Sequence, residues 1–389
     1  MTKTGADCMI RPSIATFDGL HAATPEASPL AHLPRLHLVH GPTPIERVSA
    51  LDTDLGIELW VKRDDATSGA ESGNKLRKLE WLLADARRRG SRVIVTCGAL
   101  QSNHVRATAL ACARLGFECI ALVRVADPHE AEQGRIALEG NALISKLAGC
   151  TFRFLSADQY RDRSSHLAEV RAECERHGKP ATIIGEGGSS GLGALGYVEA
   201  MREVRTQMDL GVGAVPDSRF DIVAVACGSG GTAAGVALGV AHTHVAQTVW
   251  ALCVCNDASY FRDAVDRMRS EAAAFAPRLR APESLEMPCV VSGSGYTREA
   301  CQVVIDDNAK GPGYERISEE QANFIVQVAR KTGLVLDPVY TGKALFGLAK
   351  AVDRGEIARG SRVLFIHTGG LPGLLAHARD VARYVHDST

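Results

Sequence analysis

A lysine that follows a Gly-Asn turn and opens an apolar-periodic segment, as in Ser72-Gly73-Asn74-Lys75-Leu76-Arg77-Lys78, is placed to act as a nucleophile. At a helix start it feels the positive end of the helix dipole, and the neighbouring cations Arg77 and Lys78 add to that field. Both influences favour the neutral amine, the form that condenses with a carbonyl to give a Schiff base. A solvated first-turn lysine, with its stem along the surface and its charge in water, is the competing reading of the same residues.

Gly228-Ser229-Gly230-Gly231-Thr232 lies between an apolar run and a helical pattern beginning near Ala233. Successive glycines let backbone N–H groups converge at a helix N-terminus, which suits a phosphate. With Ala233 the segment also satisfies the loose dinucleotide pattern G-x-G-x-x-G/A, which keeps a nicotinamide oxidoreductase in view. Such an enzyme places an acid about 20 residues on to hold the ribose. Here positions 248 to 255 read Thr-Val-Trp-Ala-Leu-Cys-Val-Cys, and no acid follows until Asp257.

A third polar segment, Gly98-Ala99-Leu100-Gln101-Ser102-Asn103-His104-Val105-Arg106, also follows an apolar run and opens a helix. Ser102 and Asn103 suit a helix cap, and the same free N–H groups suit a substrate carboxylate. Asp337-Pro338-Val339-Tyr340-Thr341-Gly342-Lys343 and His367-Thr368-Gly369-Gly370 put further polar groups at turns beside apolar segments.

The elements that must position these groups read as strands alternating with helices from about Gly90 onward, the pattern of parallel sheets flanked by helices. Strands are expected at Arg92 to Cys97, Cys119 to Val123, Thr151 to Leu155, Ala181 to Ile184, Asp221 to Cys227, Thr248 to Cys255 and Arg362 to His367. Between them fall helices such as Leu76 to Arg89, in which Leu76, Leu79, Leu83 and Ala86 share one face. Residues 1 to 34, with Pro12, Pro25, Pro29 and Pro34, read as an extended arm.

A chain of 389 residues, 46% of them apolar and 23% charged, is long enough for about two domains. Forty-four basic against 45 acidic residues leave a net charge of -1, so no global field draws nucleic acid or an anionic membrane, and small-molecule partners are expected. The eleven cysteines, mostly inside apolar runs, suit buried free thiols in a reducing compartment. Cys253 and Cys255 have C-x-C spacing without a second Cys or His cluster, so no metal is expected. Neither a signal-type apolar stretch near the N-terminus nor a membrane-length apolar run is evident, and a cytoplasmic location is the default.

Together these segments resemble, in order, the motifs of the fold-type II pyridoxal-phosphate enzymes and, within them, the D-cysteine desulfhydrase and 1-aminocyclopropane-1-carboxylate deaminase family. The resemblance runs from about Pro42 to the C-terminus. It is carried by Gly-Asn-Lys at 73 to 75, Gln-Ser-Asn-His-Val-Arg at 101 to 106, Glu-Gly-Gly-Ser-Ser-Gly-Leu-Gly-Ala-Leu-Gly-Tyr at 186 to 197 and the glycine loop at 228 to 232. Gly-Pro-Gly-Tyr at 311 to 314, Asp-Pro-Val-Tyr-Thr-Gly-Lys at 337 to 343 and His-Thr-Gly-Gly at 367 to 370 complete it.

The resemblance implies an α/β fold of two domains, each with a mainly parallel twisted sheet flanked by helices. The large, cofactor-binding domain would comprise 1–77 and 190–389, the small one 78–189, with the active site in the cleft between them and a homodimer as the assembly. It implies pyridoxal 5'-phosphate held through Lys75, with Asn103, Gly228, Ser229, Gly230, Gly231, Thr232 and Thr341 around it. Lys75, Ser102, Tyr314 and Tyr340 are the implied catalytic residues, and Ser102, Asn103, His104, Tyr314, Tyr340 and Thr368 would meet a small amino-acid substrate. For the Cα proton, Lys75 is preferred over a relay through Ser102, Tyr314 or Tyr340.

Thr341 and Thr368 resemble the desulfhydrase branch, where the deaminases have glutamate and leucine. A neutral hydroxyl near the pyridine nitrogen gives a shallower electron sink than a carboxylate, enough for β-elimination. The expected reaction is therefore D-cysteine to pyruvate, sulfide and ammonia. Alternatives within the family are deamination of aminocyclopropane-carboxylate, loss of sulfite from cysteate, or elimination from another β-substituted amino acid. More distant alternatives are the nicotinamide oxidoreductase and a non-catalytic amino-acid sensor. Glu315, Arg316 and Glu186 depart from the family pattern and bear on the substrate more than on the reaction.

Overall fold

The computed structural model describes residues 28–212, 219–277, 279 and 301–386. Among the described residues ten strands form two sheets. The first holds six strands in the order β1 (Ile45–Arg47), β2 (Glu58–Lys62), β10 (Arg362–Ile366), β7 (Phe220–Cys227), β8 (Ala246–Cys253) and β9 (Gln302–Asp306). Only β1, paired with β2, runs antiparallel. The second sheet is wholly parallel, in the order β5 (Thr151–Leu155), β4 (Glu118–Arg124), β3 (Val93–Ala99) and β6 (Ala181–Ile184).

Each of the seven expected strands is present, with ends displaced by at most two residues. The continuous apolar runs of β3 and β7 are those of strands covered on both faces: all seven β3 residues are buried, as is Ile222–Cys227. β1, β2 and β9 were not expected. β1 and β9 are edge strands of three and five residues, and β2 lies in the polar-rich region before Gly90, where apolar periodicity is weak.

The strand order fixes where a site can form. In the second sheet β3, β4 and β5 step one way while β6 pairs on the other side of β3. The loops after β3 and β6 therefore diverge and leave a crevice at the strands' carboxyl ends. The first sheet repeats the arrangement, with β8 and β9 on one side of β7 and β10 on the other. Ser102 and Glu186 follow the first pair of strands; the glycine loop and His367-Thr368 follow the second.

The helix that carries Lys75, Asn74–Arg88, lies where these crevices meet, and an expected domain boundary at residue 77 falls inside it. Its position is set by a buried ion cluster. Arg77 donates from Nε and Nη2 to both oxygens of Asp64, each at 2.8 Å, and from Nη2 to Glu203 at 3.0 Å. Lys62 Nζ donates to Glu203 at 2.5 Å and to Gln207 Oε1 at 2.6 Å, while Tyr197 Oη donates to Asp64 at 2.6 Å. Helix Gly191–Asp209 comes so near that a Cβ on Gly196 would stand 2.1 Å from the Arg77 carbonyl oxygen.

Nine cysteines lie among the described residues, all free and eight buried; Cys8 and Cys289 lie outside them. Of the expected N-terminal arm, 1–27 lie outside the described residues. Residues 28–34 are not extended but form tight turns, with Leu30 buried against Trp81 and Leu195.

Replacing Asp64 by alanine leaves Arg77 buried without its bidentate partner, a loss of about 3–5 kcal/mol that urea unfolding at pH 7 would register; an unchanged midpoint would refute the cluster's structural role. Glu203 has its pKa lowered from 4.5 to about 2, because Arg77 and Lys62 outweigh the effect of burial. Its contribution is complete above the ordinary carboxylate range and is lost as pH falls toward about 2. The urea midpoint should accordingly fall between pH 5 and pH 3, and fall less in Glu203→Gln.

Candidate functional site

Lys75 occupies the second position of its helix, behind Gly73, whose φ of 124° lies in the region that favours glycine. The turn is tied down from three sides. Gly73 N–H donates to Thr67 Oγ1 at 2.7 Å, Asn74 N–H to the Thr368 carbonyl at 3.2 Å, and Arg106 Nη2 to the Ser72 carbonyl at 2.8 Å. Arg106 thus acts as a clamp on the loop that delivers the lysine.

The Lys75 amine looks into a cleft lined by Ser102, Asn103, His104, Glu186, Tyr314, Tyr340 and Thr368, and by Gly228, Ser229, Gly230 and Thr232 of the glycine loop. Loss of hydration there lowers the Lys75 pKa to about 8, against an opposing pull from Glu186 and Cys227. The cause differs from the expected one in part. Arg77, two residues on, points to the opposite side of the helix and is consumed by Asp64 and Glu203.

Lys78, three residues on, does share the Lys75 face. Its Nζ donates to the Gly187 carbonyl at 3.2 Å and to Ser189 Oγ at 3.4 Å, and among the described residues it has no carboxylate partner. Burial first, then Lys75, drive its pKa well below that of an ordinary lysine. A buried amine without a counter-charge beside a helix N-terminus is a place prepared for an anion.

The glycine loop supplies the rest of that place. A Cβ on Gly231 would lie 2.7 Å from Ser189 Oγ and 2.9 Å from Lys78 Nζ, so only glycine leaves the amide exposed to what Lys78 faces. Gly230, at φ 80°, caps helix Gly231–Thr243 without a side chain in the way. Ser189 Oγ is 2.8 Å from Ser229 Oγ, and Asn74 Nδ2 donates to Thr232 Oγ1 at 3.0 Å. Loop N–H groups, hydroxyls and one buried amine converge as a cradle for an anion, the amine one helical turn from Lys75. The residues present fit pyridoxal phosphate. Lys78, Ser189 and Asn74 were not expected there; the i, i+3 spacing of Lys75 and Lys78 was the available signal.

On the facing wall Ser102 caps helix Asn103–Leu115, its Oγ accepting from Val105 N–H at 3.3 Å, while also lining the cleft. Ser102 is thus a helix cap whose side chain also faces the cleft. Asn103 Oδ1 accepts from Asn141 Nδ2 at 3.0 Å, which orients its own amide N–H₂ as the group left to donate. Asn141, fully buried and donating as well to the Gln101 carbonyl at 2.9 Å, is a support that sequence alone did not disclose. His104 Nε2 lies 2.9 Å from Thr96 Oγ1, and burial beside Lys75 and Lys78 keeps its pKa well below the usual range.

Tyr314 and Tyr340 meet across the cleft, hydroxyl to hydroxyl at 2.8 Å, with rings edge to face. Lys343 holds Tyr314 in place by donating to the carbonyls of Gly313 at 2.7 Å and Lys310 at 2.9 Å. Desolvation raises both phenol pKa values. Thr341, by contrast, does not line the cleft. Its hydroxyl donates to Asp337 Oδ1 at 2.7 Å and accepts from Asp337 N–H at 2.9 Å, so the turn that starts its helix uses its only proton. Glu186 lines the cleft, accepts from Tyr160 Oη at 3.1 Å and pairs with Arg163 at 3.2 Å.

Comparison with known proteins agrees with this geometry. The chain is 36% identical over 370 residues to the bifunctional D-cysteine desulfhydrase/1-aminocyclopropane-1-carboxylate deaminase of Arabidopsis thaliana, described as mitochondrial, covering 93% of this chain and 86% of the relative. It is 36% identical over 348 residues to the D-cysteine desulfhydrase of Yersinia pestis (strain Pestoides F), covering 90% and 97%. A crystal structure of an ACC deaminase homologue superposes with a TM-score of 0.75 at 32% identity, covering 92% of this chain and 98% of that one. The family described as pyridoxal-phosphate dependent enzyme matches residues 36–369. With the lysine, the anion cradle and the crevice between two sheets already in place, this match assigns the chain to the pyridoxal-phosphate dependent enzymes.

Proposed function

We propose that this enzyme is a lyase that eliminates the β-substituent of a small amino acid, with D-cysteine as substrate and pyruvate, sulfide and ammonia as products. The observation that carries the reading is the meeting, in one cleft, of the Lys75 amine with the hydroxyl-to-hydroxyl pair of Tyr314 and Tyr340. When bound, pyridoxal phosphate supplies a carbonyl for the substrate amine and an electron sink that acidifies the Cα–H bond.

Lys75 would hold the cofactor through its amine and would be the base for the Cα proton; a pKa lowered to about 8 suits a base working at neutral pH. Tyr314 and Tyr340 are poorly suited to that task, since raised phenol pKa values keep both protonated. With one hydroxyl donating to the other, one O–H proton of the pair remains to stabilise the departing β-substituent. Lys78, Ser189 and the loop Gly228–Thr232 hold the phosphate. Asn103 donates to the cofactor, and Ser102 with the amides opening its helix receives the substrate carboxylate.

Position 341 brings no carboxylate to the cleft, its threonine hydroxyl being turned to Asp337, which supports elimination of a good leaving group over opening of a cyclopropane ring. The names of the relatives, desulfhydrase and bifunctional desulfhydrase/deaminase, support the same substrate class.

The two-domain division at 78–189 is part of this reading, supported by the second sheet lying wholly within that span. So is a homodimer. Leu143 and Leu147 on helix Gly140–Leu147 and Leu371 and Leu375 on helix Leu371–Ala376 are exposed on two helices that pack together, which suits a second copy. A cytoplasmic location is supported by the buried free thiols, and no helix among the described residues is long and apolar enough to cross a membrane.

The holoenzyme should release equal sulfide and pyruvate from D-cysteine, with no turnover in Lys75→Ala and a loss of about a hundredfold or more in kcat for Tyr340→Phe; a cofactor-loaded protein inert to D-cysteine would reject that substrate. In apoprotein mixed with pyridoxal phosphate, the rate at which visible absorption appears should climb with pH and level off above about 8, because the lysine is a nucleophile only when deprotonated. A profile still rising through pH 10 would mean that Lys75 behaves as an ordinary surface lysine.

A further inference from the structure

Glu186 is the one carboxylate among the described residues that line the cleft holding Lys75. It follows β6 in a short turn, Glu186–Gly188, which Lys78 ties down by donating to the Gly187 carbonyl at 3.2 Å. Its side chain is fixed as well. One carboxylate oxygen accepts from Tyr160 Oη at 3.1 Å, and the other lies 3.2 Å from Arg163 Nη2. Tyr160 and Arg163 stand in a vestibule beyond the cleft, whose walls they share with Glu186 and Tyr314, and neither lines the cleft itself.

A carboxylate accepts along about four lone-pair directions, and these two contacts, both from the vestibule, use about half of them. Arg163 is partly exposed, so water weakens its hold on the charge. On the cleft side no cation is left over for Glu186: burial keeps His104 neutral, Lys78 faces the glycine loop, and Lys75 is given to the cofactor. Its charge nevertheless reaches the reacting groups. Against desolvation it holds the Lys75 pKa up, and behind desolvation and Glu315 it adds to the rise at Tyr314. A carboxylate oriented from behind, with its field on both the base and the phenol pair, suits a cationic group on the carbon that reacts between them.

We infer that Glu186 is a specificity-determining residue that receives a positively charged β-substituent, extending the enzyme's substrates to amino acids with an amino group at Cβ. The inference rests on the elimination reading of the same cleft. In that reaction the Cα–H proton goes to the base, and the Cβ–N bond breaks with its electron pair leaving on nitrogen. Cα and Cβ become doubly bonded, and water converts the released enamine to pyruvate and a second ammonia. The substituent arrives as an ammonium, which Glu186 holds, and departs as neutral ammonia, whose exit the carboxylate's charge does not oppose.

The test uses the holoenzyme with β-aminoalanine, cysteine and α-aminobutyrate, each in both configurations. α-Aminobutyrate has a methyl group where β-aminoalanine has its ammonium and cannot eliminate, so the rapid change each causes in the cofactor's visible absorption compares their affinities without any variant. The ammonium compound is expected to bind about tenfold or more tightly than its methyl counterpart, and to release two ammonia per pyruvate where cysteine releases one. In Glu186→Gln the ratio of kcat/KM for β-aminoalanine to that for cysteine should fall about tenfold or more, with partial retention in Glu186→Asp; an effect on Lys75 common to both substrates cancels in that ratio. Equal affinity for the ammonium and methyl compounds, or an unchanged ratio in Glu186→Gln, would overturn the inference. So would β-aminoalanine that binds but does not react while cysteine does. Turnover of cysteine in any of these cases leaves the elimination reading standing, whereas tight, Glu186-dependent binding of β-aminoalanine with no turnover of either substrate would uphold the recognition and reject the reaction.

Discussion

Helix Asn74–Arg88 must present one lysine to a cleft while its neighbours two and three residues away remain buried. Arg77 and Lys62 are both fully buried cations, and Asp64 and Glu203 are the anions that make this tolerable. Taking such groups out of water costs several kcal/mol each, which only close, hydrogen-bonded pairing offsets. The pairing draws on strand β2, the segment after it, helix Asn74–Arg88 and helix Gly191–Asp209, so four pieces of chain distant in sequence share one geometry. The pitch and rotation of the helix follow from it, and with them the direction of Lys75.

From that fixed helix the rest of the site builds outward through backbone contacts more than through side chains. The Thr368 carbonyl takes the Asn74 N–H, the Arg106 guanidinium takes the Ser72 carbonyl, and the Gly231 amide faces Lys78 because no Cβ intervenes. Each contact arrives from the loop or helix start that follows the carboxyl end of a parallel strand. Two sheets whose strand orders reverse at β3 and at β7 supply four such loops close together. A site so assembled tolerates little change in helix position, which explains why glycine stands where Gly191–Asp209 crosses the lysine helix.

Much of this was legible in the sequence, for identifiable reasons. Buried central strands give unbroken apolar runs, and the edge strands β5 and β6 still carry aromatic or β-branched residues, so seven were recognised; β1, with three residues, and β9, polar at both ends, show less. Lys75, Ser102, Asn103 and the glycine loop, which the fold brings to one cleft, stood out because special turns and helix starts leave a local signature. Asn141 left none, and Lys78 only its i, i+3 spacing from Lys75, since an asparagine and a lysine are ordinary residues until the fold buries them. Thr341 shows the converse. Its place in a motif pointed to the cofactor, whereas its hydroxyl closes the Asp337 turn, because a threonine near an aspartate at a helix start meets the nearer partner.

Two lysines three residues apart on one helix face illustrate how the fold separates roles that sequence cannot. Lys75 and Lys78 start from the same chemistry, and burial lowers the pKa of both. Lys75 retains access to the cleft and the opposing pull of Glu186, so its pKa stops near 8, where an amine serves as nucleophile and base in turn. Lys78 is enclosed between the Gly187 carbonyl, Ser189 and the amides of the glycine loop, with Lys75 adding to its deficit. An anion seated there would meet the charge that burial denies Lys78, so the two lysines divide, one turn of helix apart, into an enclosed cation site and an accessible amine.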